Sequence, residues 1–420
     1  MSLVLAENIN LHVIPTKKYK TIQIMIRFAT EMTREKASLR TLLSSMLETN
    51  SRHYPTSTAM SKKLSEMYGA RFNVGTNKKG NVHQLNLVLS IVNPKYLPHE
   101  TALLEEGLMF LNEVLFSPNI KDGQFDLATF GREKNNLQSY INSVYDDKQS
   151  HAALSLQELY FSDSEAQKTP GFGKAEDVAS ITSEELATYY LKMLREDTVD
   201  VMVLGDVSTE DVAEQLASFA WGERAVAEND QMYYQKPHGD VLEKKETLPV
   251  KQGKLNMGYH TGIYFHDENY FAMQVFNGLF GGFPHSKLFV NVREKESMAY
   301  YASSSLDTFR GMMTVQTGID SQNREKVLRL IEEQRQAVID GQVSDEVMLQ
   351  TKAMLKNHYL LSQDNPNAIL ESEYLKLKFP QSALTDAQWL GKLESVTLEE
   401  VQQVAKNVRL QAIYFMEGNA

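Results

Sequence analysis

At 420 residues the chain exceeds one ordinary hydrophobic core and suits two domains of roughly 150–220 residues each. Apolar residues at 42% and charged residues at 23% give a globular balance, and the absence of cysteine excludes disulfides, thiolate metal sites and a cysteine nucleophile. The net charge of −11 comes without a Lys/Arg run able to neutralise phosphates, so nucleic acid is not an expected partner.

The first residues, Met1-Ser2-Leu3-Val4-Leu5-Ala6-Glu7-Asn8, have no basic n-region and too short an apolar stretch for a secretory signal. No window approaches the ~20 apolar residues of a membrane span. The expectation is a soluble, cytoplasmic protein without a membrane partner.

In chain order, period-2 alternation predicts a strand over Thr21–Phe28, and a helical pattern follows over Leu39–Thr49. Pro55-Thr56-Ser57 then leads into a helix predicted over Met60–Tyr68, and alternation returns over His83–Ile91. Lys134-Asn135 lies inside a long helical pattern. Thr182-Ser183-Glu184-Glu185-Leu186 has Thr at the N-cap and Glu three residues on, the spacing of a capping box. The apolar strand Val199–Gly205 follows it. A polar stretch from Gly222 to Pro249, including Glu228-Asn229-Asp230 and Glu243-Lys244-Lys245-Glu246, reads as a linker. Beyond it come strands at Lys254–Gly262 and Met312–Ile319, a helix opening at Ser286-Lys287, and a long helix around Lys356-Asn357. A second capping box, Thr397-Leu398-Glu399-Glu400, precedes the last strand, Gln411–Met416.

These elements repeat. The capping boxes at Thr182 and Thr397 are 215 residues apart, the Lys-Asn pairs at 134 and 356 are 222 apart, and the Ser-Lys pairs at 61 and 286 are 225 apart. Three similar offsets in one order argue for a duplicated unit. The expected fold class is α+β, with two homologous lobes, each an antiparallel-rich mixed sheet covered on one face by helices. The lobes are expected at 1–220 and 249–420, with the linker at 221–248.

Two segments resemble a known family. Ser38-Leu39-Arg40-Thr41-Leu42-Leu43-Ser44-Ser45-Met46-Leu47, followed by Leu64-Ser65-Glu66-Met67-Tyr68-Gly69-Ala70-Arg71-Phe72-Asn73, is similar to the first domain of the insulinase/pitrilysin peptidases, in their processing-peptidase branch. Members carry His-x-x-Glu-His in the first helix. Two His four apart share a helix face and bind zinc, and the Glu activates the metal-bound water. On that resemblance the metal positions fall on Thr41 and Ser45, the base on Ser44, and the third ligand on Tyr140. A hydroxyl is a poor zinc ligand beside imidazole, and Ser44 has no carboxylate to take a proton. The ten His agree: no two stand three, four or five apart, and His99-Glu100 is followed by Leu103 where a second His would be needed. The resemblance therefore implies no catalytic residue and no cofactor in this chain.

The second half matches the same family more fully. Gly281-Gly282-Phe283-Pro284-His285-Ser286-Lys287-Leu288-Phe289, then Val292-Arg293-Glu294-Lys295-Glu296-Ser297-Met298-Ala299-Tyr300, resembles its C-terminal-domain segment. There the Arg and Tyr positions, Arg293 and Tyr300 here, contact the substrate backbone. Arg supplies fixed donors and Tyr a phenolic one, suited to a peptide carbonyl. Ser297-Met298 replaces the family's Gly-Leu. The resemblance implies a non-catalytic subunit of a heterodimeric zinc endopeptidase, inactive alone, which contributes chamber wall and peptide contacts while a motif-bearing partner holds the zinc. The alternative is a stand-alone peptide-binding or scaffolding homodimer.

Overall fold

The computed structural model describes residues 2–99, 101–226, 229–265 and 267–419; Glu100, Glu228 and His266 thus lie outside the described residues. In chain order the elements are β1 (Ser2–Ala6), β2 (Ile9–Pro15), β3 (Thr21–Glu31), α1 (Arg34–Thr49), α2 (Ser57–Glu66), β4 (Arg71–Lys79), β5 (Val82–Val92) and α3 (Leu103–Phe116). Then come the short β6 (Ile120–Lys121) and β7 (Gln124–Phe125), α4 (Leu127–Asp146), α5 (Lys148–Tyr160), α6 (Glu165–Lys168), α7 (Ala175–Ser180), α8 (Ser183–Glu196), β8 (Thr198–Gly205) and α9 (Thr209–Ala217). The remainder comprises β9 (Leu242–Leu248), β10 (Gly253–His260), α10 (Tyr270–Asn277), β11 (Ala299–Asp307), β12 (Met312–Ile319), α11 (Arg324–Ile339), α12 (Asp345–Ser362), α13 (Pro366–Lys378), α14 (Asp386–Ser395), α15 (Leu398–Asn407) and β13 (Arg409–Gly418). Two π-helical stretches, Gly278–Gly282 and Leu288–Lys295, separate α10 from β11.

The chain forms two compact units. One contains Met1–Ser143 and Thr169–Gln231, the other Val144–Lys168 and Met232–Ala420. This differs from a simple split into 1–220 and 249–420 in two places. Residues 144–168, with α5, belong to the second unit. The stretch expected as linker contributes β9, whose Lys- and Glu-rich sequence pairs in parallel with β13 because an edge strand keeps one flank in water.

The first unit has a six-stranded sheet in the order β1-β2-β8-β3-β5-β4, and the second a five-stranded sheet in the order β11-β12-β10-β13-β9. Reading β4, β5, β3, β8, β2 against β11, β12, β10, β13, β9 gives the same sequence of roles. Among the described residues each sheet has one parallel pair, β2 with β8 and β9 with β13. The repeat seen in the sequence is thus a repeat of topology, and the antiparallel-rich mixed sheets follow the expected class.

In the first unit α1 packs on β4 and β5, burying Leu39, Leu42, Leu43, Met46 and Leu47. In the second unit Leu255, Met257 and Tyr259 alternate onto the face covered by α10, α11 and α15. The opposite face also receives a helix, since Ala152, Leu156 and Tyr160 of α5 pack with Met312, Ala412, Tyr414 and Met416. Both sequence-read capping boxes form, at Thr182 with Glu185 and at Thr397 with Glu400. One helix start shifts: Ser61 lies inside α2, which begins earlier because the Thr56 hydroxyl accepts from the Ala59 amide and caps it.

Candidate functional site

The site lies within the first unit, on α1. Thr33 caps this helix by accepting from the Lys36 amide, and five apolar side chains hold its inner face on the sheet. Positions 41, 45 and 48 follow the i, i+4, i+7 spacing of one stripe, so Thr41, Ser45 and Glu48 share a face.

Thr41, Ser44, Ser45 and Tyr140, far apart in sequence, line one depression of about 460 Å³ together with Gly75 and Thr76 of β4, Asn136 and Leu137 of α4, Gly171 and Phe172. The Tyr140 ring is 54% exposed and meets Phe172 edge-on at 5.9 Å. The four positions assigned by resemblance are brought together as a metal site would require, but with different chemistry. Thr41 Oγ1 donates to the Ala37 carbonyl (2.9 Å), and Ser44 Oγ and Ser45 Oγ both donate to the Thr41 carbonyl (2.8 and 3.4 Å). Three neutral hydroxyls and a phenol supply neither the imidazole and carboxylate donors zinc prefers nor a base for its water. The donor set does not fit zinc. Among the described residues no group of three or more His, Asp or Glu stands where it could hold a metal ion.

A second depression, about 410 Å³, shares Ser45 and is lined by Glu48, Thr49, Ser57, Met60, Phe72 and Glu133 among others. Burial pushes the Glu48 carboxyl upward, and the negative charge of Glu133 adds to the rise, against a hydrogen bond from Asn73 Nδ2 (3.2 Å).

Behind the first depression lies a network that sequence reasoning missed. Arg40, fully buried, pairs with Asp197 and donates through Nε to His83 Nδ1 (3.0 Å) and through Nη2 to the Phe28 carbonyl (2.8 Å). With Nδ1 accepting, the His83 proton sits on Nε2, which donates to the Gly171 carbonyl (2.7 Å). Burial and then the Arg40 charge push His83 down to about 3, so the ring stays neutral. The bond fixes Gly171 beside Phe172 at the pocket rim. Nearby Gly173 has φ +82°, and a Cβ there would meet Ser38 Oγ at 2.2 Å, so only glycine lets this loop approach α1. The available signal was an Arg inside an apolar helical pattern, which requires a buried partner.

The other two singled-out residues lie in the second unit. Arg293, exposed in the second π-helical stretch, has its guanidinium carbon 4.4 Å from the Phe289 ring centre. Tyr300, 63% exposed at the start of β11, donates its hydroxyl to Asp320 at a long 3.4 Å. Between them Ser297, where the resemblance expects glycine, has φ +52°. That is the left-handed region glycine favours. Asp147 accepts from the Ser150 amide as N-cap of α5.

Residues 180–355 match the family model described as "Peptidase M16 inactive domain". The "Probable inactive metalloprotease YmfF" of Bacillus subtilis (strain 168) is 36% identical over 411 residues, covering 97% of this chain and 95% of that protein. The chain belongs to the M16, or insulinase/pitrilysin, peptidase family. This M16 chain lacks the His-x-x-Glu-His motif. A conserved protein from Enterococcus faecalis V583, known from its crystal structure, is 49% identical with TM-score 0.97, covering 100% of this chain and 98% of that one. At 17% identity, a peptidase M16 inactive domain from Pseudomonas fluorescens shares the fold, with TM-score 0.79 over 100% of this chain and 98% of its own. No helix among the described residues is long and apolar enough to cross a membrane.

Proposed function

We propose that this M16 homologue is the non-catalytic subunit of a two-chain zinc endopeptidase, holding peptide while a motif-bearing partner supplies the metal. The observation that carries this reading is the pocket at α1, lined by the four positions that the resemblance matches to the family's metal centre, with side chains that can hydrogen-bond but do not fit zinc. Selection for an enzyme acting alone leaves no reason to keep the pocket and replace every ligand.

Two further features support peptide binding. β4 is an edge strand with a sheet neighbour on one side only, and its Gly75 and Thr76 border the pocket. An edge strand beside a pocket is the arrangement used by domains that add an extended peptide to a sheet: main-chain bonds give affinity and pockets take alternate side chains. Arg293 and Tyr300 remain exposed, and the Tyr300 hydroxyl is held only by its long 3.4 Å bond to Asp320, so both can turn toward a peptide carbonyl.

The test is reconstitution. The purified chain is expected to hydrolyse no peptide alone, and addition of an M16 homologue bearing His-x-x-Glu-His is expected to give activity. Arg293→Ala or Tyr300→Phe in this chain should lower that activity at least tenfold. Reconstituted activity indifferent to both substitutions refutes the grip. Peptide retention with no activity beside any motif-bearing homologue would point instead to a stand-alone scaffold.

A further inference from the structure

The Thr and Ser hydroxyl hydrogens of the α1 pocket are committed within the protein. Thr41 donates to the Ala37 carbonyl, which leaves Thr76 as donor in its 3.1 Å contact with Thr41 Oγ1. Ser44 and Ser45 donate to the Thr41 carbonyl, and Asn136 donates its amide to Glu133 (3.2 Å). The pocket therefore faces its contents with lone pairs, on Ser44 Oγ, Ser45 Oγ and Asn136 Oδ1. Donors stand beside them: the Tyr140 hydroxyl and the second N–H of Asn136. No charged side chain lines this pocket among the described residues, and Phe172 and Tyr140 give it two aromatic rings.

We infer that the pocket takes the carboxamide side chain of a Gln or Asn in a bound peptide, an inference that rests on the peptide-binding reading above. A carboxamide is planar, carries two N–H donors for the lone pairs and one carbonyl for the Tyr140 hydroxyl, and has no charge to desolvate. A carboxylate has no donor for the serine and Asn136 lone pairs. An aliphatic chain leaves the serine and Asn136 oxygens without partners. A guanidinium or ammonium offers donors but finds no carboxylate in the lining to offset its lost hydration.

An acetylated, amidated positional-scanning octapeptide library bound to the full chain tests this. One position should select Gln or Asn, and resynthesised peptides read by fluorescence anisotropy should bind at least tenfold more tightly with Gln there than with Glu or Leu. Tyr140→Phe combined with Ser45→Ala should narrow that ratio to below threefold. Retention of peptides without a carboxamide preference, or a preference that survives both substitutions, overturns the assignment and leaves the peptide-binding reading standing. Retention of no peptide of any composition overturns that reading itself, and the assignment with it.

Discussion

Ser297 sits in left-handed backbone at φ +52°, where an L side chain costs roughly 1 kcal/mol and glycine little. Its hydroxyl makes only a 3.3 Å bond to the Glu294 carbonyl at an exposed turn. Ser297→Gly is therefore expected to stabilise the protein by about 0.5–1 kcal/mol, measured as a rise in the urea midpoint at constant slope. His83 gives a prediction with a sign. Its folded value of about 3 lies below the ordinary imidazole value of about 6.5, so the unfolded chain binds a proton that the native chain does not. The contribution is complete above pH ~6.5 and is lost as pH falls toward 3. Between pH 7 and 5 the loss is about 2 kcal/mol, and His83→Gln should flatten that part of the stability curve relative to the parent. The metal positions are tested together. Thr41→His, Ser44→Glu, Ser45→His and Tyr140→Glu in one chain should bring stoichiometric zinc on elemental analysis, because the four side chains already share one pocket. Failure of a folded quadruple variant to take up zinc would mean that these positions do not correspond to the family's metal ligands.

At the scale of elements, the capping boxes were the most legible signals, because a Thr and a Glu three residues later satisfy each other locally. Thr397→Ala should cost about 1 kcal/mol by freeing the Glu400 amide. Strand interiors were also legible: Met312–Ile319 alternates as read, and β3 and β5 extend the expected strands by a few residues. Helix starts were less so. α1 begins at Arg34 rather than Leu39, since its first turn is polar and carries no apolar period. The glycines at 278, 281 and 282 allow close packing. A Cβ on Gly278 would meet Thr351 Cγ2 at 2.6 Å and the Phe283 ring at 2.9 Å. Gly278→Ala should accordingly destabilise by about 1–3 kcal/mol through overpacking, seen as a lower thermal midpoint.

At the scale of the whole molecule, local patterns sufficed for the repeat and the α+β class. Each depends on residue type and order: a capping box is four residues long, and alternation shows within a strand. Where those residues meet was a tertiary decision. Tyr140 reaches Thr41 and Ser45 only because α4 and α1 belong to the same unit, and β9 becomes a strand only because β13 offers it an edge. The placement of α5 against β10 and β13, and the Arg40–His83–Gly171 chain behind the pocket, join residues 43 to more than 200 positions apart. Burial and hydrogen bonding over such separations are properties of the packed fold, and no local pattern encodes them.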